Sequence, residues 1–354
     1  MSHFWKNRRV LVTGHTGFKG SWLCLWLQSL GAEVFGVALE PAGKPNLYET
    51  ASIGRGMESC VLDIRDANGL KAHVKEIQPE CVFHLAAQPL VRHSYTDPVG
   101  TFATNILGTA HLLDAVRSAP SVRAAVIITT DKVYQNREWA HPYRESDALG
   151  GHDPYSASKA AAEIITASMR DSFLIESGVR VATARAGNVI GGGDWATDRL
   201  IPDCLRAFSE NVPVRLRFPD AVRPWQHVLE PLAGYLLLAA HLLSDTGSEY
   251  EKAWNFGPNP SDTACVGDVA DRLASLWGDS AKVICEINDN HPHEAGLLRL
   301  DSSAARHCLG WKPLWDLETA LQHTVDWHRA WLRGDNMHDY TLLQIEAYQA
   351  SCSL

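Results

Sequence analysis

The stretch Val10-Leu11-Val12-Thr13-Gly14-His15-Thr16-Gly17-Phe18-Lys19-Gly20 decides the fold, and the apolar run Ser21-Trp22-Leu23-Cys24-Leu25-Trp26-Leu27 follows it directly. It predicts a short strand, a turn with three glycines at three-residue spacing, and a helix. Glycines permit a tight turn and a close approach of backbone and helix, and free N–H groups at a helix start bind phosphate. A purely structural glycine turn is the alternative. We expect a dinucleotide pyrophosphate at this turn, bound by Gly14, Thr16, Gly17, Phe18, Lys19 and Gly20.

Composition and charge limit the class of protein. The chain has 354 residues, of which 45% are hydrophobic and 21% charged, as in an ordinary globular protein with one large core or two lobes. We see neither a leader peptide before the first strand nor an apolar run of membrane-spanning length, so we expect a cytoplasmic protein without a membrane partner. A formal charge of −9 argues against nucleic acid as a partner. An anionic ligand would therefore need local basic groups.

Strands alternate with helices through the first half of the chain. Apolar strands are predicted at 33–39, 58–63, 81–86, 124–130 and 179–185, with helices near 67–77, 100–116 and 155–169. This order predicts an α/β fold, a Rossmann-type doubly wound parallel sheet with a smaller C-terminal substrate-binding lobe. We place an NAD-binding domain with the catalytic residues at 1–186 and the substrate lobe mainly at 187–354, some segments of which can return to the large sheet.

Three further segments are predicted to face the cofactor. Glu40 lies twenty residues beyond Gly20, where a carboxylate can accept both ribose hydroxyls of NAD and repel the extra phosphate of NADP; a solvated loop carboxylate is the alternative. Asp63, followed by Ile64, can accept from the adenine amino group or instead cap a helix. Small residues at Leu85-Ala86-Ala87 suit a flat ring lying close to the backbone. Asn105, by contrast, reads as a buried helix residue that satisfies neighbouring backbone groups.

The stretch Tyr155-Ser156-Ala157-Ser158-Lys159 places a phenol and an ammonium four residues apart, on one face of a helix. The ammonium is expected to lower the phenol pKa, so that Tyr155 can remove an alcohol proton while hydride leaves for NAD. Thr130 can share the hydrogen bond to that alcohol. Together with the Gly-x-x-Gly-x-x-Gly turn, the pair resembles the extended short-chain dehydrogenase/reductase family. The resemblance implies that the turn after the strand at 81–86 flanks the cofactor.

Asp131 and Lys132, in Thr129-Thr130-Asp131-Lys132-Val133-Tyr134, add two titratable groups beside this redox centre. The alternative is a capped strand end with an exposed ion pair. A Thr-Asp-Glu triplet at this place marks nucleotide-sugar 4,6-dehydratases; Lys132 replaces the Glu, and Thr-Asp-Lys resembles the branch that acts on CDP-glucose. The resemblance implies oxidation at C4 by Tyr155, removal of the C5 proton by Lys132, protonation of the leaving C6 hydroxyl by Asp131, and return of hydride to C6.

Substrate contacts are predicted in Arg185-Ala186-Gly187-Asn188-Val189-Ile190-Gly191-Gly192-Gly193-Asp194-Trp195. Asn188 can bond sugar or pyrophosphate oxygens, Trp195 offers a stacking face, and the glycines allow close approach, with Gly193 and Asp194 among the contacts. A flexible loop between the lobes is the alternative. Arg199 and Arg223 supply charge for a diphosphate, and in the family an Arg two residues before a Trp contacts the nucleotide. Arg199 can instead form a structural salt bridge.

The resemblance implies a lyase that binds NAD and CDP-D-glucose and contributes a deoxysugar to surface polysaccharide such as lipopolysaccharide O-antigen. A 4-epimerase, a dehydratase for another nucleotide, or a non-catalytic NAD-binding sensor are the alternatives. It also implies a homodimer or homotetramer through a four-helix contact of the helices near 100–116 and 155–169. We expect no metal site, because His291-Pro292-His293-Glu294 lacks a third ligand and reads as a surface loop. The late tryptophans, among them Trp315 and Trp327, read as packing residues.

Overall fold

The computed structural model describes residues 2–278, 281–285 and 296–352. A seven-stranded parallel sheet dominates it, in the order β10-β6-β5-β4-β1-β2-β3. The strands of the chain are β1 Arg9–Thr13, β2 Glu33–Ala38, β3 Met57–Val61, β4 Cys81–His84, β5 Ala124–Ile128, β6 Arg180–Ala186, β7 Asn188–Ile190, β8 Val214–Leu216, β9 Val222–His227, β10 Ala253–Phe256, β11 Thr263–Cys265 and β12 Val283–Cys285. The doubly wound α/β prediction is confirmed.

Helices cover both faces of this sheet. They are α1 Ser2–Trp5, α2 Phe18–Ser29, α3 Leu47–Thr50, α4 Ala67–Ile77, α5 Val91–Thr96, α6 Pro98–Phe102, α7 Gly108–Arg117, α8 Pro154–Met169, α9 Leu200–Ser209, α10 Leu229–Leu242, α11 Val266–Trp277, α12 Ser303–Cys308, α13 Leu317–Arg333 and α14 Met337–Ser351. None of the helices in the described ranges is long and apolar enough to cross a lipid bilayer.

The central strands are buried on both faces, which explains their continuous apolar sequences. All five residues of β5 are buried. Successive side chains point to opposite faces, so Val10 and Val12 join one core cluster with Trp22 and Trp26 of α2, while Leu11 joins a second with α4 and α7. Packing on both faces holds the strands, and therefore the residues that follow their carboxyl ends, in fixed relative positions.

The predicted helix near 100–116 has an irregular centre. α6 runs into a single π-helical turn, Ala103–Leu107, which continues into α7. Asn105 lies in this turn and is 1% exposed; its amide accepts from the Gln88 backbone N–H at 2.8 Å and donates to the Gln88 carbonyl and to Ser158 Oγ. The prediction that Asn105 satisfies neighbouring backbone groups is confirmed.

The second half of the chain builds two small sheets and also completes the large one. β11, β9 and β7 form one small sheet, and β12 pairs with β8. α9, α11 and α13 enclose a separate apolar core beside them, and Trp315 and Trp327 are buried as predicted. β10 returns to the large sheet and pairs in parallel with β6, Ala253 opposite Thr183. The two lobes are thus tied by a shared sheet.

Candidate active site

The carboxyl ends of β1, β4, β5 and β6 meet at one edge of the large sheet, and the predicted site residues follow these ends. The glycine turn follows β1, Leu85-Ala86-Ala87 follows β4, Thr129-Thr130-Asp131-Lys132 follows β5, and Gly187 follows β6. The sheet order therefore brings four chain segments, widely separated in sequence, to one place.

The glycine turn fits a dinucleotide. Gly14 has a φ of +76°, and a Cβ there would lie 2.7 Å from the Ala86 backbone nitrogen, so a side chain is not accommodated at this position. Gly17 caps α2 without a side-chain hydrogen bond, which leaves N–H groups of the first turn for a phosphate. The turn therefore has the features of a dinucleotide phosphate cradle.

The adenosine-side residues are placed as follows. Glu40 is exposed just beyond β2, where the Leu39 carbonyl accepts from Thr16 Oγ1 at 2.9 Å. Asp63 accepts from Arg65 Nε at 2.9 Å, and this partner lowers the pKa of the carboxyl. The cap of α4 is Asp66, so the helix-cap interpretation of Asp63 is wrong. Ile64 is buried. Contacts of these residues with ribose and adenine stay predictions.

Tyr155 and Lys159 lie on one face of α8, which begins at Pro154 after its cap Asp153. Both are buried, and Lys159 Nζ donates to the Ile128 carbonyl at 3.0 Å. The pKa of Lys159 is lowered to about 8 by burial. The expected lowering for Tyr155 is wrong: burial raises its pKa to about 12 and outweighs the opposing hydrogen bond to Thr130.

Asp131 and Lys132 differ sharply in exposure. Asp131 is 1% exposed; its Oδ1 accepts from Thr130 Oγ1 at 2.9 Å, and its Oδ2 has no hydrogen-bond partner among the described residues. A Cβ on Gly187 would lie 3.2 Å from that Oδ2. Lys132 is half-buried in the wall of a cavity. In the part of the chain that the structure describes, no ion pair joins the two, so the exposed-pair interpretation does not hold.

The cavity has a volume of about 1150 Å³, ample for a nucleotide sugar. Its wall includes most of the predicted catalytic and substrate-binding residues, namely Thr130, Asp131, Lys132, Tyr155, Asn188, Asp194, Arg199 and Arg223. Within the described residues, Lys159, Gly193 and Trp195 are not part of it. Trp195 packs edge-on against Trp327 and Trp331 at 5.7 and 5.1 Å between ring centroids, and Gly193 lies against Leu47. Substrate contacts by these two residues stay predictions, without support from the cavity.

Cations line the cavity. Arg199 pairs with Asp194, Nη1 to Oδ2 at 2.9 Å, which is the structural salt bridge foreseen as its alternative. Arg223 is buried, and its Nη1 donates to the Val222 carbonyl at 2.9 Å. Lys19, predicted at the cofactor, also reaches this wall; its pKa is lowered to about 7, first by burial and then by Arg199 and Lys159. The wall thus has the charge that a diphosphate needs.

The segment 187–195 is only partly a loop. Asn188–Ile190 is strand β7, which pairs in parallel with β9, Asn188 opposite Trp225. Asn188 is therefore held by strand pairing, next to the strand that carries Arg223.

Sequence reasoning missed Glu163, a buried partner of Arg185, although its i+4 spacing from Lys159 was a signal. No group of three or more potential metal ligands occurs in residues 2–278, 281–285 and 296–352, and the stretch 291–294 lies outside them.

A parallel Rossmann sheet with a glycine turn after β1, together with a Tyr-Lys pair on α8 whose Tyr155 lines the cavity, defines a dinucleotide-dependent enzyme of the short-chain dehydrogenase/reductase class. The family model described as GDP-mannose 4,6 dehydratase matches residues 11–324. The chain belongs to this family.

Individual relatives are nucleotide-sugar enzymes as well. The chain is 49% identical to the CDP-glucose 4,6-dehydratase of Salmonella typhimurium, over 99% of this chain and 98% of that one. It is 33% identical to the UDP-glucose 4-epimerase of Mycolicibacterium smegmatis, over 91% and 98%. Among solved structures, it is similar to a UDP-glucose 4-epimerase of Thermus thermophilus in complex with NAD, at 26% identity and a TM-score of 0.77, covering 91% of this chain and 99% of that one.

Proposed function

We propose that the chain is a lyase that removes water from CDP-D-glucose and gives CDP-4-keto-6-deoxy-D-glucose, with NAD regenerated in each turnover. The observation that carries the proposal is the convergence of Tyr155, Asp131 and Lys132 on one cavity of nucleotide-sugar size, with Lys159 one helical turn after Tyr155 on the same helix. The 49% identity to a CDP-glucose 4,6-dehydratase over nearly the whole chain supports the substrate and the reaction.

The first half-reaction needs a base at the C4 hydroxyl. We assign it to Tyr155, which is hydrogen-bonded to Thr130 and lies one helical turn from Lys159. NAD, when bound, accepts hydride from C4 and later returns it to C6. In its phenolate form Tyr155 takes the hydroxyl proton, and the charge of the nearby Lys159 ammonium is proposed to oppose the burial that raises the Tyr155 pKa to about 12. The resulting C4 ketone acidifies the neighbouring C5–H bond.

The elimination needs a second base and an acid. Lys132, in its neutral form, takes the C5 proton, and the C6 hydroxyl leaves as water with a proton from Asp131. The unpartnered Oδ2 of Asp131, directed toward Gly187, is the oxygen that can hold this proton. Return of hydride to C6 and of one proton to C5 completes the product, so one water is lost and no net redox change remains.

The rest of the cavity accommodates the nucleotide. We assign the diphosphate to Arg199 and Arg223, since guanidinium groups match phosphate oxygens, and we place Asn188 beside them. Lys19, whose pKa is lowered to about 7, adds a further nitrogen donor at the cofactor side. The product deoxysugar is proposed to enter surface polysaccharide.

A panel of substrates tests this function. Purified protein is incubated with NAD and, separately, with CDP-, dTDP-, GDP- and UDP-glucose, and the products are followed by mass spectrometry. We expect loss of one water from CDP-glucose alone, without net accumulation of NADH. An isomer of unchanged mass would instead identify a 4-epimerase and remove Asp131 and Lys132 from the mechanism.

A dimer through α6, α7 and α8 is proposed with it. The outer faces of this region carry large apolar side chains that are about half exposed or more: Val99 at 75%, Leu107 at 54%, Ile164 at 58% and Phe173 at 45%. Such a patch on a single chain indicates a protein interface. A second copy would bury it as a four-helix contact while leaving the cavity open, and sedimentation measures the mass.

A further inference from the structure

A buried charge pair joins α8, the helix that carries Tyr155, to strand β6, outside the cavity wall. Glu163 and Arg185 are 4% and 3% exposed, and Arg185 Nε and Nη2 donate to the two carboxylate oxygens at 3.0 and 2.8 Å. The same oxygens accept from Thr129 Oγ1 at 2.5 Å and from Thr183 Oγ1 at 2.6 Å. Glu163 of α8 is therefore bonded to the end of β5 and to β6 by four hydrogen bonds.

The hydrogen bonds of Glu163 extend a row of contacts between α8 and the end of β5 that begins at the active site. Tyr155, Lys159 and Glu163 are spaced by four residues and share one face of α8. Tyr155 meets Thr130, Lys159 Nζ meets the Ile128 carbonyl, and Glu163 meets Thr129. Three consecutive residues at the end of β5 are thus each held by one residue of the helix, and Glu163, unlike Tyr155, lies outside the cavity wall.

We propose that Glu163 is a positioning residue, which fixes the height of the catalytic helix against β5 and β6 and supplies the negative charge that keeps the Lys159 ammonium protonated. Its activity readout rests on the proposed function. A buried ammonium loses its proton readily unless a counter-charge lies near it, and only a charged ammonium stabilises the phenolate of Tyr155.

The surroundings of Lys159 make this charge necessary. Burial lowers the Lys159 pKa to about 8, and Glu163 is the group that opposes this shift. Lys19 of the glycine turn and His84 of β4 also interact electrostatically with Lys159. Tyr155 lies one helical turn before it, Asp131 acts on Lys19, and Arg185 of β6 is paired with Glu163. The pKa of His84 is lowered to about 3, so it is neutral there, and Arg92 of α5 pairs with Asp198 instead.

Charge and shape are separated by three variants. Glu163→Gln keeps the shape and removes the charge, Glu163→Asp keeps the charge and shortens the side chain, and Thr183→Val removes one hydrogen bond while leaving the carboxylate. The first readout is the pH dependence of kcat for CDP-glucose dehydration. The second needs no substrate: NMR titration of ε-¹³C-lysine-labelled protein, with the Lys159 signal assigned through Lys159→Arg.

For Glu163→Gln we expect the Lys159 pKa and the alkaline limb of kcat to fall by about one unit. In Glu163→Asp, the Lys159 pKa and the alkaline limb should fall by less than in Glu163→Gln, and more activity should remain. Thr183→Val should leave the Lys159 pKa and the alkaline limb unchanged. If Glu163→Gln does not fold, Glu163→Asp against Thr183→Val gives the same comparison. An unchanged Lys159 titration in the Glu163 variants, or more activity with Gln than with Asp, would overturn the proposal. Lack of CDP-glucose turnover by the wild type would overturn only the proposed function, because the NMR titration still reports on Glu163.

Discussion

Glu230 at the start of α10 fastens the C-terminal segment to the large domain, and this makes the stability of the fold depend on pH. Its carboxylate is fully buried and accepts from the backbone N–H groups of Leu314 and Trp315, at 3.1 and 2.7 Å, and from the Tyr348 hydroxyl at 2.6 Å. Burial nevertheless dominates and raises the pKa of Glu230 from 4.5 to about 7. Replacement of this carboxyl by an amide in Glu230→Gln removes the titration and keeps the shape.

The sign and size of the effect follow from linkage. Because the folded-state pKa is raised, the native chain holds the proton more tightly than the unfolded chain, so the free energy of unfolding falls as pH rises from about 4.5 to about 7 and is level above that. At about 1.36 kcal/mol per pKa unit, the wild type loses roughly 2 to 3 kcal/mol through Glu230 between about pH 5 and pH 8. The Gln variant loses none of it.

The measurement is urea unfolding of both proteins at several pH values, followed by tryptophan fluorescence. The free energy of unfolding of Glu230→Gln minus that of the wild type should rise by about 2 to 3 kcal/mol from pH 5 to pH 8, since all other titrations cancel in the difference. Glu346→Gln, an exposed site on α14, is the matched control and should give a flat difference. A flat difference for Glu230→Gln as well would refute the reasoning.

Three further predictions concern the site and the assembly. Tyr155→Phe should lower kcat for dehydration by at least about 100-fold and leave NAD affinity unchanged by fluorescence titration; a parallel loss of binding would contradict the assigned role. Lys132→Ala should still oxidise C4, seen as NADH absorbance in a single turnover, but stall before water loss; normal product formation would remove Lys132 from the mechanism. Ile164→Glu should convert a dimer to a monomer by sedimentation, whereas Val212→Glu, at an exposed residue outside these helices, should not.

The large sheet could be predicted from the sequence because its information is local. The strand at 124–128 is continuously apolar, since both faces are covered, and the glycine turn requires residues without a Cβ at fixed spacing. Tyr155 and Lys159 were placed correctly by helical periodicity alone. The direction of the Tyr155 pKa shift was not predicted correctly. A neighbouring charge can be seen in a sequence, whereas the degree of burial around a phenol cannot.

The second half could not be placed in the same way. β10 has four residues and joins the large sheet beside β6, some seventy residues earlier in the chain, so no local pattern marks its partner. Trp195 shows the same limit for the site. An indole after a run of glycines is suited to stacking on a ligand, but here it packs against Trp327 and Trp331 of α13, which are distant in sequence. The pairing of Arg199 with Asp194 was foreseen only as an alternative, since exposure decides between a ligand and a salt bridge.

In the proposed mechanism, the difference in environment between Asp131 and Lys132 gives the pair a division of labour that sequence order alone does not. Asp131 is enclosed, with one oxygen committed to Thr130 and the other free beside Gly187, so it can present a proton in one fixed direction only. Lys132 is half-buried on a flexible stem in the cavity wall and can reach a carbon acid as the ring moves. An elimination needs both kinds of group: an acid aligned with the leaving oxygen and a base tolerant of a shifting C–H bond. A Lys in place of the commoner Glu is therefore consistent with the same chemistry.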